Sequence, residues 1–90
     1  MEPIVKAASA GTMESSDAYV EIEPGEHGIR IQVESVVAQQ FGDAIEKAVR
    51  DVLQECRVEN ACVRVVDRGA LECVIRARVE TAVLRGREDA

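Results

Sequence analysis

Residues 18–34 read AYVEIEPGEHGIRIQVE, and their hydrophobic pattern indicates the secondary structure from which the domain is built. Apolar and polar side chains alternate strictly on both sides of the proline- and glycine-containing segment 24–28. Alternation with a period of two is typical of a half-buried strand, and two such runs around a short glycine-containing connection predict a β-hairpin. On the outer face of this hairpin, Arg30 is expected to pair with Glu21 or Glu23.

The hydrophobic period changes to 3.6 residues after Ser35, whose hydroxyl we expect to cap the first turn of a helix. This helix is predicted over residues 36–57. Its buried stripe consists of apolar residues spaced three and four apart: Phe41, Ile45, Ala48, Val49, Val52 and Cys56. The helix should therefore lie with one face on the predicted strands.

Residues 60–66 predict a third strand, residues 67–69 a turn, and residues 70–85 a second amphipathic helix. The inner stripe of this second helix comprises Leu71, Val74, Ile75, Val79 and Ala82. The order β-β-α-β-α predicts an α+β two-layer sandwich, in which a small sheet carries both helices on one face. A right-handed crossover through the first helix makes the second and third strands parallel.

The chain of 90 residues allows one domain with one modest core. Residues 1–16 have no clear hydrophobic period and are predicted to form a flexible N-terminal arm. Residues 17–85 are the predicted single domain, and the polar residues 86–90 are the predicted disordered tail.

Charge and aromatic content exclude several classes of function. Eleven Lys and Arg residues against 17 Asp and Glu residues give a net charge of −6, which repels a nucleic-acid backbone. Tyr19 and Phe41 are the only aromatic residues, so platforms for base stacking are also lacking. No stretch approaches the length of a membrane span, and the N-terminus lacks the pattern of a signal peptide. We expect a cytoplasmic protein that binds neither nucleic acid nor membrane.

The three cysteines, Cys56, Cys62 and Cys73, are odd in number and include no C-x-x-C pair. They cannot form a closed disulfide framework, and no histidine stands near them to complete a zinc site. We therefore expect buried free thiols in a reducing compartment.

Groups for catalysis are also scarce. His27, the sole histidine, lies in the predicted turn, where an imidazole is normally a solvated surface group. The chain contains no nucleophile-elbow, Walker or H-E-x-x-H motif, so we predict no catalytic residue and no metal site. Arg78 falls within the apolar arc of the second helix. It is expected to extend its guanidinium into water, to pair with an acidic residue of the chain, or to hold a phosphate.

Ser15 stands on the predicted arm, within the segment A-G-T-M-E-S-S-D at residues 10–17. This segment can serve as a simple lead-in to the first strand, since Gly, Ser and Asp are turn formers. An exposed serine on an arm also suits covalent modification. Because Glu14 and Asp17 are ordinary carboxylates, another enzyme would have to activate its hydroxyl.

The same segment resembles the N-terminal motif of the citrate lyase acyl carrier proteins, the gamma chains of that enzyme. The likeness continues through Q-F-G-D-A-I at 40–45, D-V-L at 51–53 and D-R-G-A-L-E-C-V-I-R-A-R at 67–78. These blocks occur in order at matching spacing, and the resemblance extends from about residue 5 to residue 85.

In that family, the serine directly after the glutamate carries a phosphoribosyl dephospho-coenzyme A, attached through a phosphodiester. The resemblance assigns this covalent attachment to Ser15. Ser16 occupies a position at which family members have Gly or Ser, and it is the lesser candidate.

The resemblance also implies a mechanism and partners. The terminal thiol of the prosthetic group carries an acetyl thioester, which the alpha subunit exchanges for a citryl thioester. The beta subunit, with a divalent metal such as Mg²⁺, cleaves that thioester to oxaloacetate and restores the acetyl carrier. A prosthetic-group transferase and an acetylating ligase are further implied partners. The chain itself would be a non-catalytic carrier subunit, because tethering raises the local concentration of the acyl group near both active sites.

Two alternatives remain open. The chain could be the carrier subunit of malonate decarboxylase, whose serine motif resembles V-G-S-G-D. Here the serine instead follows Thr12, Met13 and Glu14, which favours citrate lyase. The chain could also be a structural or adaptor subunit that carries no modification. Phosphopantetheine carriers are disfavoured, because they resemble four-helix bundles with a D-S-L motif, and this sequence has neither feature.

Overall fold

A computed structural model describes residues 3–35 and 38–88 of the chain; of residues 38–41 it describes the backbone only. The elements follow in the order β1 (Ala8–Gly11), β2 (Ala18–Pro24), β3 (Ile29–Ser35), α1 (Ala38–Glu55), β4 (Ala61–Asp67) and α2 (Glu72–Arg87). This is the predicted α+β class with one additional strand at the N-terminus. The prediction that the Phe41 side chain lies in the core concerns a side chain that the structure does not describe.

The four strands form one mixed sheet in the order β1-β2-β4-β3. β1 pairs antiparallel with β2, and β2 pairs antiparallel with β4. β3 and β4 are parallel, as predicted for the crossover through α1. The predicted β-hairpin is wrong, because β4 lies between β2 and β3.

The connection between β2 and β3, residues 25–28, passes over the start of β4 instead of folding back. The Ala61 amide donates to the Gly28 carbonyl at 3.1 Å, and the Gly28 amide donates to Asn60 Oδ1 at 2.7 Å. A Cβ atom at Gly25 would lie 2.8 Å from the Ala61 nitrogen, so only glycine allows the two backbones to approach this closely.

The insertion of β4 also changes the ion pairs on the outer face of the sheet. Arg64, in the central strand, pairs with Glu21 of β2 at 2.9 Å and with Glu34 of β3 at 3.3 Å. The predicted pairing of Arg30 with Glu21 or Glu23 is wrong, because β2 and β3 are not neighbours. A central arginine therefore bridges two carboxylates on separate strands.

The core lies between one face of the sheet and the two helices. α1 packs against β3, α2 packs against β1 and β2, and the helices contact each other. The apolar face of the sheet and the stripes of both helices supply the buried residues: Ala18, Val20, Ile22, Ala61, Val63, Val65, Ile45, Ala48, Val49, Val52, Leu53, Ile75, Val79, Ala82 and Val83. Leu71, predicted in the core, is 71% exposed because it precedes the first helical residue of α2.

The N-terminal segment contributes to the fold, although no element was predicted there. Ala8–Gly11 form the edge strand β1, and Ile4 is buried. The amides of Val5 and Lys6 donate to the Gly86 carbonyl at 2.9 and 3.3 Å, which fastens this segment to the last turn of α2. A Cβ at Gly86 would lie 3.3 Å from Ile4, so the glycine leaves room for the contact. Residues 86 and 87 of the predicted tail thus belong to α2, while residues 89 and 90 lie outside the described residues.

The turn after β4 is organised by the buried Asp67. Its carboxylate accepts hydrogen bonds from the Gly69 and Ala70 amides at 3.2 and 2.8 Å, and from the Ser35 hydroxyl at 2.8 Å. Ser35 is the last residue of β3, and its hydroxyl binds Asp67. These contacts tie the ends of β3 and β4 together. The prediction that Ser35 caps α1 depends on residues 36 and 37, which lie outside the described residues.

The cysteines are free, as predicted, but they are less buried than expected. Cys56 and Cys62 are partly buried, and Cys73 is exposed on the first turn of α2. Burial raises the pKa of the Cys56 thiol. Within residues 3–35 and 38–88, neither helix combines the length and apolar character needed to cross a bilayer.

Candidate attachment site at the Ser15 loop

Residues 12–17 connect the antiparallel strands β1 and β2, and we call this connection the Ser15 loop. The residue before it, Gly11, has a φ of +93°, a conformation that favours glycine. A Cβ atom there would lie 1.9 Å from the Ala18 carbonyl oxygen. The entrance to the loop therefore requires glycine for two independent reasons.

The tip of the loop is a four-residue turn from Glu14 to Asp17. The Asp17 amide donates to the Glu14 carbonyl at 3.1 Å. Ser16, the third residue of the turn, has a φ of +67°, whereas Ser15 is not among the residues with positive φ. This combination is that of a type II turn, in which the third position favours glycine.

Asp17 anchors the base of the loop through four hydrogen bonds. Arg78 of α2 donates Nε to Oδ1 at 3.0 Å and Nη2 to Oδ2 at 2.9 Å, which is a bidentate pairing. The Thr12 hydroxyl donates to Oδ2 at 2.7 Å, and the Ala18 amide donates to Oδ1 at 2.7 Å. One carboxylate thus joins both ends of the loop to the helix layer.

These donors determine the charge state of Asp17. The Arg78 guanidinium, followed by the Thr12 hydroxyl and the Ala18 amide, holds the pKa of the Asp17 carboxyl well below its usual range. An anion stabilised in this way is a poor proton acceptor, so Asp17 is not suited to activate a neighbouring serine.

The loop is also joined to the turn after β4. The Ser16 amide donates to the Arg68 carbonyl at 2.8 Å, and the Arg68 amide donates to the Asp17 carbonyl at 2.9 Å. Ser16 and Asp17 thus both lie opposite Arg68, so the pairing of β2 and β4 ends beyond Ala18 and Asp67 in a β-bulge. The loop is therefore held on one side by α2 and on the other by β4.

Ser15 itself takes no part in this anchoring. Its side chain is exposed, and within the described part of the chain its hydroxyl has no hydrogen-bond partner. The open depression of about 870 Å³ on the outer face of the sheet is lined by other residues, among them Tyr19, Arg30 and Arg64. The loop thus presents the Ser15 hydroxyl to solvent, away from the residues that line this depression.

The other candidate residues lie in different settings. His27 is exposed in the connection 25–28, at the opposite end of β2 from Ser15. Arg78 takes the second of its three expected roles, since it pairs with an acidic residue of the chain. Over residues 3–35 and 38–88, no group of three His, Cys, Asp or Glu side chains is placed to hold a metal ion.

The role of Asp17 is not predicted from the sequence, in which it is an ordinary carboxylate beside Ser16. Asp17 and Arg78 are 61 positions apart, so no local period connects them. The available signal is Arg78 itself, because an arginine within an apolar arc must reach either water or an acidic partner with its charge. Thr12 was missed for the same reason, since its hydroxyl acts on Asp17 and not on Ser15.

Comparison with known proteins agrees with the resemblance seen in the motifs. The family model described as ACP, malonate decarboxylase delta subunit (MdcD), matches residues 5–86. The citrate lyase acyl carrier protein 2 of Salmonella paratyphi A is 56% identical over 86 residues, which cover 94% of this chain and 89% of that protein. The citrate lyase acyl carrier protein of Escherichia fergusonii is 55% identical over the same shares of the two chains.

A solved structure is also similar over nearly the whole fold. A chain in the crystal structure of a Pseudomonas malonate decarboxylase hetero-tetramer in complex with malonate matches with a TM-score of 0.78 and 25% identity. The match covers 94% of this chain and 88% of the other. By its sequence motifs, its fold and its similarity to these proteins, the chain belongs to the citrate lyase acyl carrier protein family, and its role is that of an acyl carrier.

Proposed function

We propose that this chain is the non-catalytic carrier subunit of a citrate lyase complex and that it bears its prosthetic group on Ser15. The observation that supports the proposal is the contrast within one loop. Ser15 is exposed with an unbonded hydroxyl, whereas both ends of the loop are fixed by Asp17 and Arg68. A covalent group can extend from such a position without displacing any contact of the domain.

The residues present suit a phosphodiester-linked group. The Ser15 hydroxyl supplies the oxygen for the ester. Asp17 is held as an anion by Arg78, and His27 lies at the opposite end of β2, so we assign attachment to a separate transferase. We identify the group as phosphoribosyl dephospho-coenzyme A on the strength of the family resemblance. When bound, it supplies a terminal thiol that carries acyl groups as thioesters.

The chain's own contribution is to hold the attachment point and to present it. The Asp17–Arg78 pair and the two backbone bonds to Arg68 hold the loop, and so determine where a group on Ser15 would extend from the domain. A fixed attachment point with a long arm keeps the acyl group at high local concentration near the active sites of neighbouring subunits. We propose the alpha and beta subunits of citrate lyase as those neighbours, with the transferase and an acetylating ligase as transient partners. Free thiols at three positions suit a cytoplasmic location.

A role in malonate decarboxylase is the second candidate, and the match to the Pseudomonas hetero-tetramer favours it. The identities of 55–56% to citrate lyase carriers, against 25% for that structure, place citrate lyase first. Reconstitution with each pair of catalytic subunits separates the two functions. We expect the loaded chain to restore citrate cleavage with citrate lyase alpha and beta subunits, and not malonate decarboxylation with the corresponding subunits.

The attachment itself is tested by loading the wild-type, Ser15→Ala and Ser16→Gly chains with the modifying transferase and recording intact masses. Ser16→Gly is the matched control, because glycine suits the positive φ of that position and removes the neighbouring hydroxyl. Wild type and Ser16→Gly should gain the mass of the group, and Ser15→Ala should gain none. Equal loading of Ser15→Ala and wild type would exclude Ser15, and a native protein with the bare polypeptide mass would favour the adaptor role.

A further inference from the structure

Two basic residues hydrogen-bond to the Ser15 loop in the described part of the chain, and they differ in what their side chains are free to do. The donors of Arg78 that face the loop are both taken by the Asp17 carboxylate. Arg68 contacts the loop only through its backbone amide and carbonyl. Its side chain is exposed and, among residues 3–35 and 38–88, has no hydrogen-bond or ion-pair partner.

The position of Arg68 along the sheet brings its guanidinium within reach of the loop tip. The bonds from the Ser16 amide to the Arg68 carbonyl and from the Arg68 amide to the Asp17 carbonyl place Arg68 opposite the two residues that follow Ser15. Since Asp67 is buried and hydrogen-bonded to the next two amides, the backbone at Arg68 is held while its long side chain remains free.

The charge balance of the loop changes when a phosphodiester is attached to Ser15. Glu14 is exposed next to Ser15, and the charge of Asp17 is already matched by Arg78. A phosphodiester adds one more negative charge at the tip, and arginine is the side chain whose planar donors suit phosphate oxygens best. Resting on the proposed attachment at Ser15, we infer that Arg68 holds the phosphodiester of the loaded carrier, while Arg78 serves only to shape the loop.

Residue-resolved amide hydrogen exchange in the unloaded and loaded chains tests this role without an activity assay. The reporters are the amides of Ser16 and Arg68, whose hydrogen bonds join the loop to β4. In the wild type, loading should slow their exchange roughly two- to fivefold, which is the effect of one charge-assisted contact at an exposed site. Sodium chloride at about 0.5 M should reduce this gain, because the contact is accessible to screening ions.

Arg68→Gln removes the guanidinium and keeps the backbone amide, so loading should no longer slow exchange in this variant. Arg30→Gln is the matched control. Arg30 is also exposed and without a partner in the described part of the chain, but it lies about 20 Å away at the opposite end of β4, opposite Cys62. It should behave as the wild type.

The two proposals fail in different ways. If intact mass and fragment ions place no group on Ser15, the proposed function fails, and the inference about Arg68 fails with it. If Ser15 is loaded and Arg68→Gln gains the same protection as Arg30→Gln and the wild type, only the role of Arg68 is overturned. A gain that persists unchanged at high salt would also contradict a contact between two exposed charges.

Discussion

β2 is flanked by two short connections, the Ser15 loop at its start and residues 25–28 at its end, which are held in different ways. The connection 25–28 crosses over the start of β4 and is held by backbone contact, with Gly25 pressed against Ala61. The Ser15 loop is held at its base by side chains, chiefly Asp17 and Arg78. The close approach to Ala61 leaves no space for a side chain at Gly25. Side-chain anchoring at the base leaves the tip of a loop free for chemistry.

The largest difference in unfolding free energy is expected between substitutions at Gly11, at the entrance to the Ser15 loop, and at Gly28, in the connection 25–28. Gly11 and Gly28 have nearly equal φ values of +93° and +90°, but a Cβ at Gly11 would strike the Ala18 carbonyl at 1.9 Å, whereas Gly28 has nothing within 4 Å. We expect Gly11→Ala to cost roughly 3 kcal/mol or more, from steric overlap added to backbone strain. Gly28→Ala should cost only about 1 kcal/mol, from strain alone. Urea unfolding measures both, and equal losses would contradict the difference between the two ends.

Loss of the arginine anchor should act on the Ser15 loop alone. In Arg78→Gln, the bidentate pairing with Asp17 is lost, and we expect the Ser16 and Asp17 amides to exchange roughly ten times faster. Arg76 on the same helix has a similar exposure and pairs with Glu55 at 2.8 Å, so Arg76→Gln is the matched control. The control should change those two exchange rates by less than about twofold. Similar effects of the two substitutions would mean that Arg78 does not hold the loop.

The anchor also predicts how stability depends on pH. The folded-state pKa of Asp17 is lowered, so the unfolded chain binds more protons there, and stability rises with pH. The contribution is complete above the unfolded pKa of about 3.9 and is lost as the pH falls below that value. Wild type should therefore exceed Asp17→Asn in unfolding free energy at pH 5, and the gap should narrow toward pH 3. A gap that stays constant across this range would contradict an ionised anchor.

The smallest effect on unfolding free energy is expected at the connection 25–28. Asn60→Ala removes the acceptor for the Gly28 amide, an exposed contact that water can replace, and should cost about 0.5–1 kcal/mol. The substitution should leave loading of Ser15 unchanged, because residues 25–28 lie at the opposite end of β2 from the Ser15 loop and share no hydrogen bond with it in the described structure. Urea unfolding and the intact mass after loading check the two expectations, and reduced loading would show that the two ends are coupled.

The class of the fold followed from the sequence, but the order of the strands did not. Alternation identifies a strand and its buried face, yet it carries no information on which strand lies beside it. The sequence of β4 does carry one signal, since the adjacent valines Val65 and Val66 interrupt the alternation. In the structure they are buried on opposite faces, as suits a central strand. β1 was missed because its four residues, A-S-A-G, are small and give no contrast between its faces.

The candidate site likewise has a part that the sequence predicts and a part that it does not. Ser15 was identified through its motif, which is local and therefore readable from the chain. The anchoring of Asp17 by Arg78, and the backbone pairing of Ser16 with Arg68, join segments more than 50 positions apart. The first contact depends on the packing of α2 against β1 and β2, and the second on the pairing of β2 with β4, neither of which a local pattern specifies.

The most direct test of this account is fragment-ion mass spectrometry of the peptide that contains residues 12–17, taken from the carrier purified with its prosthetic group in place. We predict that fragment ions place the added mass on Ser15, while Thr12 and Ser16 are unmodified. A group found on Ser16 or elsewhere, or a peptide with no added mass from a complex that cleaves citrate, would contradict the assignment of Ser15 as the attachment point.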